Sequence, residues 1–231
     1  MSHGGVVAID GPAGSGKSTV ARGVAAALAL RVLDTGAMYR TVTLAAIEAG
    51  AALDDEAVVA AIAQAAAVEV EDGVTRLGGR DVSEAIRGPA VTEAVSIVAA
   101  HPSVRQVLVE RQRQWADRHG GGVVEGRDIT TVVFPDACVK VYLTASDEER
   151  ARRRHSDEAD AARDVEIEDL RSAMARRDAL DSARAASPLR VADDALVIDT
   201  TCLEPAEVVR AIVARFRAAE KGDARQCSST E

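Results

Sequence analysis

The chain has 231 residues, of which 47% are hydrophobic but only 2% aromatic, and its formal net charge is −9 at pH 7. That length holds one domain with a core built mainly from Ala, Val, Leu and Ile, and the acidic balance argues against a nucleic-acid partner. Cys138, Cys202 and Cys227 stand far apart, with neither a metal-ligand spacing nor a disulfide framework, and no apolar run approaches the ~20 residues that span a bilayer, so the chain reads as soluble and cytoplasmic.

The first predicted element is the apolar strand at residues 6–9, closed by Asp10 and Gly11. The run Gly11-Pro12-Ala13-Gly14-Ser15-Gly16-Lys17-Ser18 then satisfies G-x-x-x-x-G-K-[ST], and a helix-like stretch with apolar residues from 20 to 30 follows. Strand, glycine loop and helix in that order are the context this motif needs to hold the phosphates of a nucleoside triphosphate. Glycines let backbone N–H groups come close to phosphate oxygens, and the helix start adds unpaired N–H groups and a positive dipole. Lys17 supplies charge to the β- and γ-phosphates, and the Ser18 hydroxyl is placed to ligate Mg²⁺. Lys17 has only Lys140 and Lys221 as fellow lysines. None of the three lies in the Asn/Thr-Lys-x-Asp segment of a GTPase, and the Ser-Gly-Gly-rich signature of a transporter ATPase is missing.

Further apolar runs at 31–33, 123–124, 139–143 and 195–198 each lead into polar or turn residues and a helical segment. Strands alternating with helices predict a mostly parallel sheet. Residues 68–82 break the pattern. Val68-Glu69-Val70-Glu71 alternates, Asp72-Gly73 turns, and Val74-Thr75-Arg76-Leu77 alternates again, the signature of a hairpin. It reads as a small antiparallel insertion, within an acceptor-binding region at about 60–100, or else as an edge hairpin of the main sheet.

Phosphoryl transfer between two anions requires positive charge where water has been removed. Arg150, Arg153 and Arg154, at i, i+3 and i+4, share a helix face, with Arg152 pointing elsewhere; a solvated helix paired with Glu148 and Glu149 is the alternative. Residues 155–164 are polar and small, a candidate mobile loop, giving a lid at about 153–166. Beyond it Arg177, Asp181 and Arg184 share another face. Arg127 and Asp128 leave the carboxyl end of a strand, where open α/β sheets place ligands, though they also fit a simple salt bridge. Asp34 and Thr35 leave the second strand before Tyr39 and Arg40; Thr35 fits an N-cap as well. The end, from about 219 to 231, is expected to be a disordered tail.

The glycine loop, LDTGAMYR at 33–40, GRDITTVVFPDA at 126–137 and RRDALDSARAASPL at 176–189 together resemble bacterial cytidylate kinase, over nearly the whole chain from about 6 to 216. The resemblance implies an α/β P-loop kinase core with a five-stranded parallel sheet flanked by helices, a small antiparallel acceptor-binding insertion and a short lid. It implies transfer of the γ-phosphoryl group of ATP to CMP or dCMP with Mg²⁺ as cofactor. ATP would be held by Gly11, Pro12, Ala13, Gly14, Ser15, Gly16, Lys17, Ser18 and Thr19, with Arg150, and the metal by Ser18. On the acceptor side, Ser96, Arg105 and Asp128 match the residues that hydrogen-bond cytosine, Arg177 and Asp181 match ribose contacts, and Arg40, Arg127 and Arg184 match the grip on its phosphate, with Asp34 and Thr35 nearby. Lys17, Arg127, Arg184 and the lid residues Arg153 and Arg154 would act on the transferring group. Departures from the family pattern are the acidic, small lid and the scarcity of arginines around 180–183. The competing readings are a kinase for another small acceptor such as UMP, or a protein in which ATP only switches a conformation. ATP and CMP or dCMP are the expected partners, with no membrane, and the chain is expected to act as a monomer.

Overall fold

The computed structural model describes residues 5–71, 73–160 and 165–227. Five strands form one parallel sheet: β1 (Val6–Asp10), β2 (Val32–Asp34), then, much later in the chain, β6 (Gly122–Gly126), β7 (Val139–Thr144) and β8 (Leu196–Asp199), in the spatial order β2-β6-β1-β7-β8. The reason β1 reads as an unbroken apolar run is that both its faces are covered. Val6 and Ala8 face a core shared with α2 (Thr35–Glu48), α3 (Glu56–Ala65), α4 (Pro89–Val98) and α5 (Pro102–His119). The alternate residues Val7 and Ile9 face α1 (Lys17–Leu28) and α8 (Pro205–Cys227). The period of two in a strand thus builds two cores at once.

Register carries the chemistry. Asp10 is paired with Gly126, and Asp34 with Glu125, so the carboxyl ends of β1, β2 and β6 finish side by side. After β1 the chain crosses to β2 on one flank, and it returns to β7 and β8 on the other. The crevice at such a reversal of strand order is where this class of sheet binds ligands. Across it lie α6 (Asp147–Asp160) and α7 (Ile167–Ala183).

The hairpin forms β3 (Val68–Glu71), β4 (Val74–Leu77) and the short β5 (Arg80–Asp81), antiparallel throughout. It is a separate sheet, so the edge-of-main-sheet alternative is excluded. Asp72, half of the predicted turn, lies outside the described residues. Between β4 and β5 the turn residues Gly78 and Gly79 both take positive φ, 57° and 82°, which a two-residue hairpin of the favoured twist requires.

Two helices run further than the sequence reading expects. α6 continues through residues 155–160, where a loop is expected, and α8 continues through Cys227, well into the expected tail. Both stretches lack an apolar stripe, so no local signal marks where either helix stops, and each adds its residues to a helix already nucleated. Residues 161–164 of the expected lid and 228–231 of the tail lie outside the described residues. No helix among the described residues is long and apolar enough to cross a membrane.

Phe134, fully buried at the end of the turn that follows β6, closes the core beneath the crevice. Phe134→Ala is expected to cost about 3–5 kcal/mol of stability, read as a lower urea midpoint with an unchanged slope; a change below about 1 kcal/mol would show that this core does not depend on it.

Candidate functional site

The glycine loop leaves β1 and must pass so close to its neighbours that side chains are excluded. A Cβ on Gly11, at φ +151°, would lie 2.1 Å from the Leu143 carbonyl oxygen, and one on Gly14, at φ +73°, 2.8 Å from that of Arg150. Gly16, at φ +86°, is the N-cap of α1 and has no side chain to cap it, so the first N–H groups of the helix are turned towards the loop. Lys17, buried, curls back so that its Nζ donates to the carbonyl oxygens of Gly11 (2.8 Å) and Pro12 (2.7 Å). Burial, with Arg127 and Arg177 nearby, pulls its pKa well below the usual lysine range, opposed by Glu125.

Glu125 closes the other side. It is buried at the end of β6, its Oε2 accepts a bond from the Ser18 hydroxyl at 3.0 Å, and its backbone carbonyl accepts one from Thr35 Oγ1 at 2.7 Å. Burial and Asp34 push its carboxyl up. Among the described residues no group of three or more acidic, His or Cys side chains can hold a metal by itself. One hydroxyl beside one carboxylate, with the remaining ligands left to phosphate oxygens and water, is nevertheless a donor set that suits Mg²⁺ next to a triphosphate. Sequence reasoning missed Glu125, since a lone acidic residue closing an apolar strand carries no spacing signal.

Asp10, also missed, lies wholly buried under the loop and accepts from Ile129 N (2.9 Å), Thr130 N (2.7 Å) and Thr130 Oγ1 (2.7 Å). Those amides open the turn that begins just after Arg127 and Asp128. The donor loop and the acceptor strand end are therefore fixed to one carboxylate, whose pKa burial raises from 3.8 to about 6 against the pull of Thr130 and Ile129.

The acceptor-side residues come together as the sequence predicts, mostly in pairs. Arg105 from α5 donates to Ala99 O (3.1 Å) and to Asp128 Oδ2, both side chains being buried. Its guanidinium carbon sits 5.3 Å from the centre of the Tyr39 ring. Asp181, 1% exposed, takes Arg127 Nε on one oxygen at 3.0 Å and Arg184 on the other. The Arg-Asp neighbours Arg127 and Asp128 thus do not pair with each other; each reaches a different helix. Arg40 donates to Ile86 O (3.1 Å) and Thr92 Oγ1 (2.9 Å), and burial with Arg177 and Arg154 close by lowers it to about 9. Arg177 is lowered to about 10 by burial and by Arg127. Ser96 is half-buried on α4. Asp34, rather than Thr35, caps α2, accepting from Ala37 N at 3.0 Å; an Asp at the strand end reaches the third amide of the helix and leaves the threonine free for Glu125.

On α6, Arg150, Arg153 and Arg154 lie inward and Arg152 is exposed, as the spacing predicts. Arg150 is tied to Asp147 (2.7 Å), Asp178 and the Ala13 carbonyl (3.0 Å), while Asp178 Oδ1 accepts from Ala13 N at 3.2 Å. Two helices therefore clamp the middle of the loop by its backbone. Arg153 is held by Glu149 (2.8 Å) and Thr200 (2.9 Å to the hydroxyl, 2.7 Å to the carbonyl). Thr200 Oγ1 in turn lies 3.2 Å from Ser15 O. The alternative of pairing with Glu149 holds for Arg152 and in part for Arg153.

A family model for cytidylate kinase matches residues 7–218. The chain is 48% identical over 211 residues to the cytidylate kinase of Bacillus thuringiensis (strain Al Hakam), a match covering 90% of this chain and 93% of that one, and the same figures hold for the cytidylate kinase of Bacillus cereus (strain AH187). Among solved structures, a gluconokinase from Sinorhizobium meliloti 1021 is similar in fold alone, with a TM-score of 0.51 at 14% identity over 97% of this chain and 99% of that one.

The raised Asp10 carboxyl has a definite sign in stability. Between its ordinary value of 3.8 and about 6 the folded state binds the proton more tightly than the unfolded one, so this group's contribution falls as pH rises through that window and is level above it. Asp10→Asn presents an NH₂ group to at least one of the three donors it faces, which is expected to cost about 1–3 kcal/mol at neutral pH and to flatten that part of the pH profile. Denaturant midpoints at pH 4, 5, 6 and 7 check both; parallel profiles for parent and variant would remove Asp10 as the titrating group.

Proposed function

The chain belongs to the cytidylate kinase family, and we propose how its residues carry out the ATP-dependent phosphorylation of CMP or dCMP. The observation that supports the assignment best is electrostatic. Lys17, Arg127, Arg177, Arg40 and Arg154 crowd one buried crevice, where Lys17, Arg40 and Arg177 are pushed below their ordinary pKa values by burial and then by neighbouring cations. Such an arrangement is stabilised by bound polyanions, and two nucleotides supply them.

In this reading the backbone of residues 11–19 cradles the donor phosphates, and Arg150 with Asp178 keeps the loop in shape. Lys17 exchanges its two carbonyl partners for the β- and γ-phosphates. Ser18 and Glu125 would hold Mg²⁺, which would supply charge neutralisation between those phosphates. Arg105, Asp128 and Ser96 read the pyrimidine, where a carboxylate accepts from the exocyclic amine of cytosine and repels the carbonyl of uracil. Asp181 and Arg177 meet the ribose, and Arg40, Arg127 and Arg184 grip the acceptor phosphate beside Asp34 and Thr35.

Transfer is in line. An acceptor phosphate oxygen forms the new P–O bond at the γ-phosphorus while the bond to the ADP oxygen breaks, and the electron pair leaves with ADP. The attacking oxygen is already anionic at neutral pH, so no strong general base is required. Lys17, Arg127 and Arg184 offset charge on the transferring group, joined by Arg153 and Arg154 when the lid segment at about 153–166 closes and excludes water. We propose that the chain acts as a monomer, and we place it in the cytoplasm, where its nucleotide substrates are.

Lys17→Ala is expected to lower kcat by about a hundredfold or more with the melting temperature unchanged or raised, in an ADP-coupled assay with saturating CMP; near-parental turnover would contradict its role. Over a panel of CMP, dCMP, UMP and small alcohols, the parent is expected to release ADP rapidly only with cytidine nucleotides. Release independent of any acceptor would favour a nucleotide-driven switch instead. Asp128→Ala is expected to keep some turnover while losing most of the preference for CMP over UMP, and an undiminished preference would take Asp128 out of base reading.

A further inference from the structure

Behind the Arg105 and Asp128 pair lies a set of buried polar atoms for which the assigned roles give no use. Among the described residues, Gln112, 1% exposed on α5, and the Tyr39 hydroxyl find no hydrogen-bond partner beyond each other, and Arg105 Nε has none. Buried polar groups are retained where a hydrogen bond or an orientation depends on them. Four such atoms in one cluster call for a reason other than packing, since Leu or Met at 112 and Phe at 39 would fill the same volume without burying a polar group.

The positions of the four atoms supply one. Gln112 follows Arg105 by seven residues on α5, two helical turns, so both lie on the buried face of that helix with Leu108 between them. The Tyr39 ring, brought in by α2, lies against the Arg105 guanidinium at 5.3 Å, a distance at which the ring face attracts the cation. The Gln112 amide lies beside the Tyr39 hydroxyl, which burial holds up at about 12 and which therefore stays protonated as a donor. The order is thus Gln112, then Tyr39, then Arg105, then Asp128. Arg105 NH1 is anchored on the Ala99 carbonyl and NH2 on Asp128, leaving the ring beneath it as the remaining restraint on its plane.

We propose that Tyr39 and Gln112 are positioning residues for specificity: Gln112 orients the Tyr39 hydroxyl, the Tyr39 ring fixes the plane of Arg105, and Arg105 aims the Asp128 carboxylate at the exocyclic amine of the acceptor's base. This rests on the reading of Arg105 and Asp128 as the base readers. Neither residue touches the transferring phosphate. Their effect falls on which pyrimidine is bound, because a carboxylate turned away from the amine loses both its attraction for cytosine and its repulsion of the uracil carbonyl.

Tyr39→Phe removes one oxygen and keeps the ring; Gln112→Met keeps the volume and removes the amide. In steady-state assays of the full chain with CMP and with UMP, each variant is expected to keep kcat for CMP within about twofold, to raise KM for CMP, and to lower the CMP-over-UMP ratio of kcat/KM by roughly five- to tenfold. Gln112→Asn, which restores an amide on a shorter stem, should recover less of the ratio than the parent and more than Gln112→Met. A purely structural role would move the melting temperature and leave that ratio where it was. Asp128→Asn run in parallel separates the two layers. If the ratio collapses there but stands unchanged in Tyr39→Phe and Gln112→Met, the positioning proposal is overturned while base reading survives. If it stands unchanged in all three, base reading fails and the proposal with it. Tyr39→Phe alone suffices should Gln112→Met not fold.

Discussion

The structure is organised around a concentration of positive charge that the protein cannot neutralise by itself. Lys17, Arg40, Arg127, Arg154 and Arg177 gather at the carboxyl ends of β1, β2 and β6, and burial, with mutual repulsion behind it, depresses the pKa values of three of them. Carboxylates from several elements offset part of it: Asp181 takes two arginines, Asp128 takes Arg105, and Glu125 and Asp34 stand near Lys17 and Arg40. The remainder is left for ligands. A net charge of −9 on the whole chain makes this local excess more selective, because a long polyanion meets repulsion elsewhere on the surface while a small nucleotide fits inside the one favourable region.

Holding such charges in place needs a rigid frame, and the frame is backbone as much as side chain. The glycine loop is gripped at Ala13 by Asp178 and Arg150, at Ser15 through Thr200, and from below through Asp10, whose bonds to Ile129 and Thr130 tie the donor side to the strand end that carries Arg127 and Asp128. Donors fixed before the substrates arrive do not have to reorganise during transfer, which is the economy of a preorganised site. α6 and α7 bring in the remaining cations.

Legibility in the sequence followed the range over which each feature is encoded. The glycine loop was readable because eight consecutive residues carry it and its meaning depends only on the strand before and the helix after. The same holds for the hairpin, where alternation around a turn is local, and for the inward face of α6, where spacing decides. Asp10, Glu125, Asp178 and Thr200 were not readable: each is an ordinary residue in its own neighbourhood and becomes important through partners about 30 to 190 positions away. The pairing of Arg127 with Asp181, in place of its neighbour Asp128, is of the same kind. The ends of α6 and α8 carry no apolar periodicity, so nothing local in the sequence marks where either helix stops.

On donor binding Lys17 changes partners while the backbone of the glycine loop stays in place. The most direct measurement is a crystal structure of the chain with CMP and a nonhydrolysable ATP analogue. The expected result is Lys17 Nζ withdrawn from the carbonyl oxygens of Gly11 and Pro12 and placed between the terminal phosphates, with Arg127 and Arg177 turned to the acceptor. An analogue bound elsewhere, with Lys17 still bonded to those two carbonyls, would contradict it.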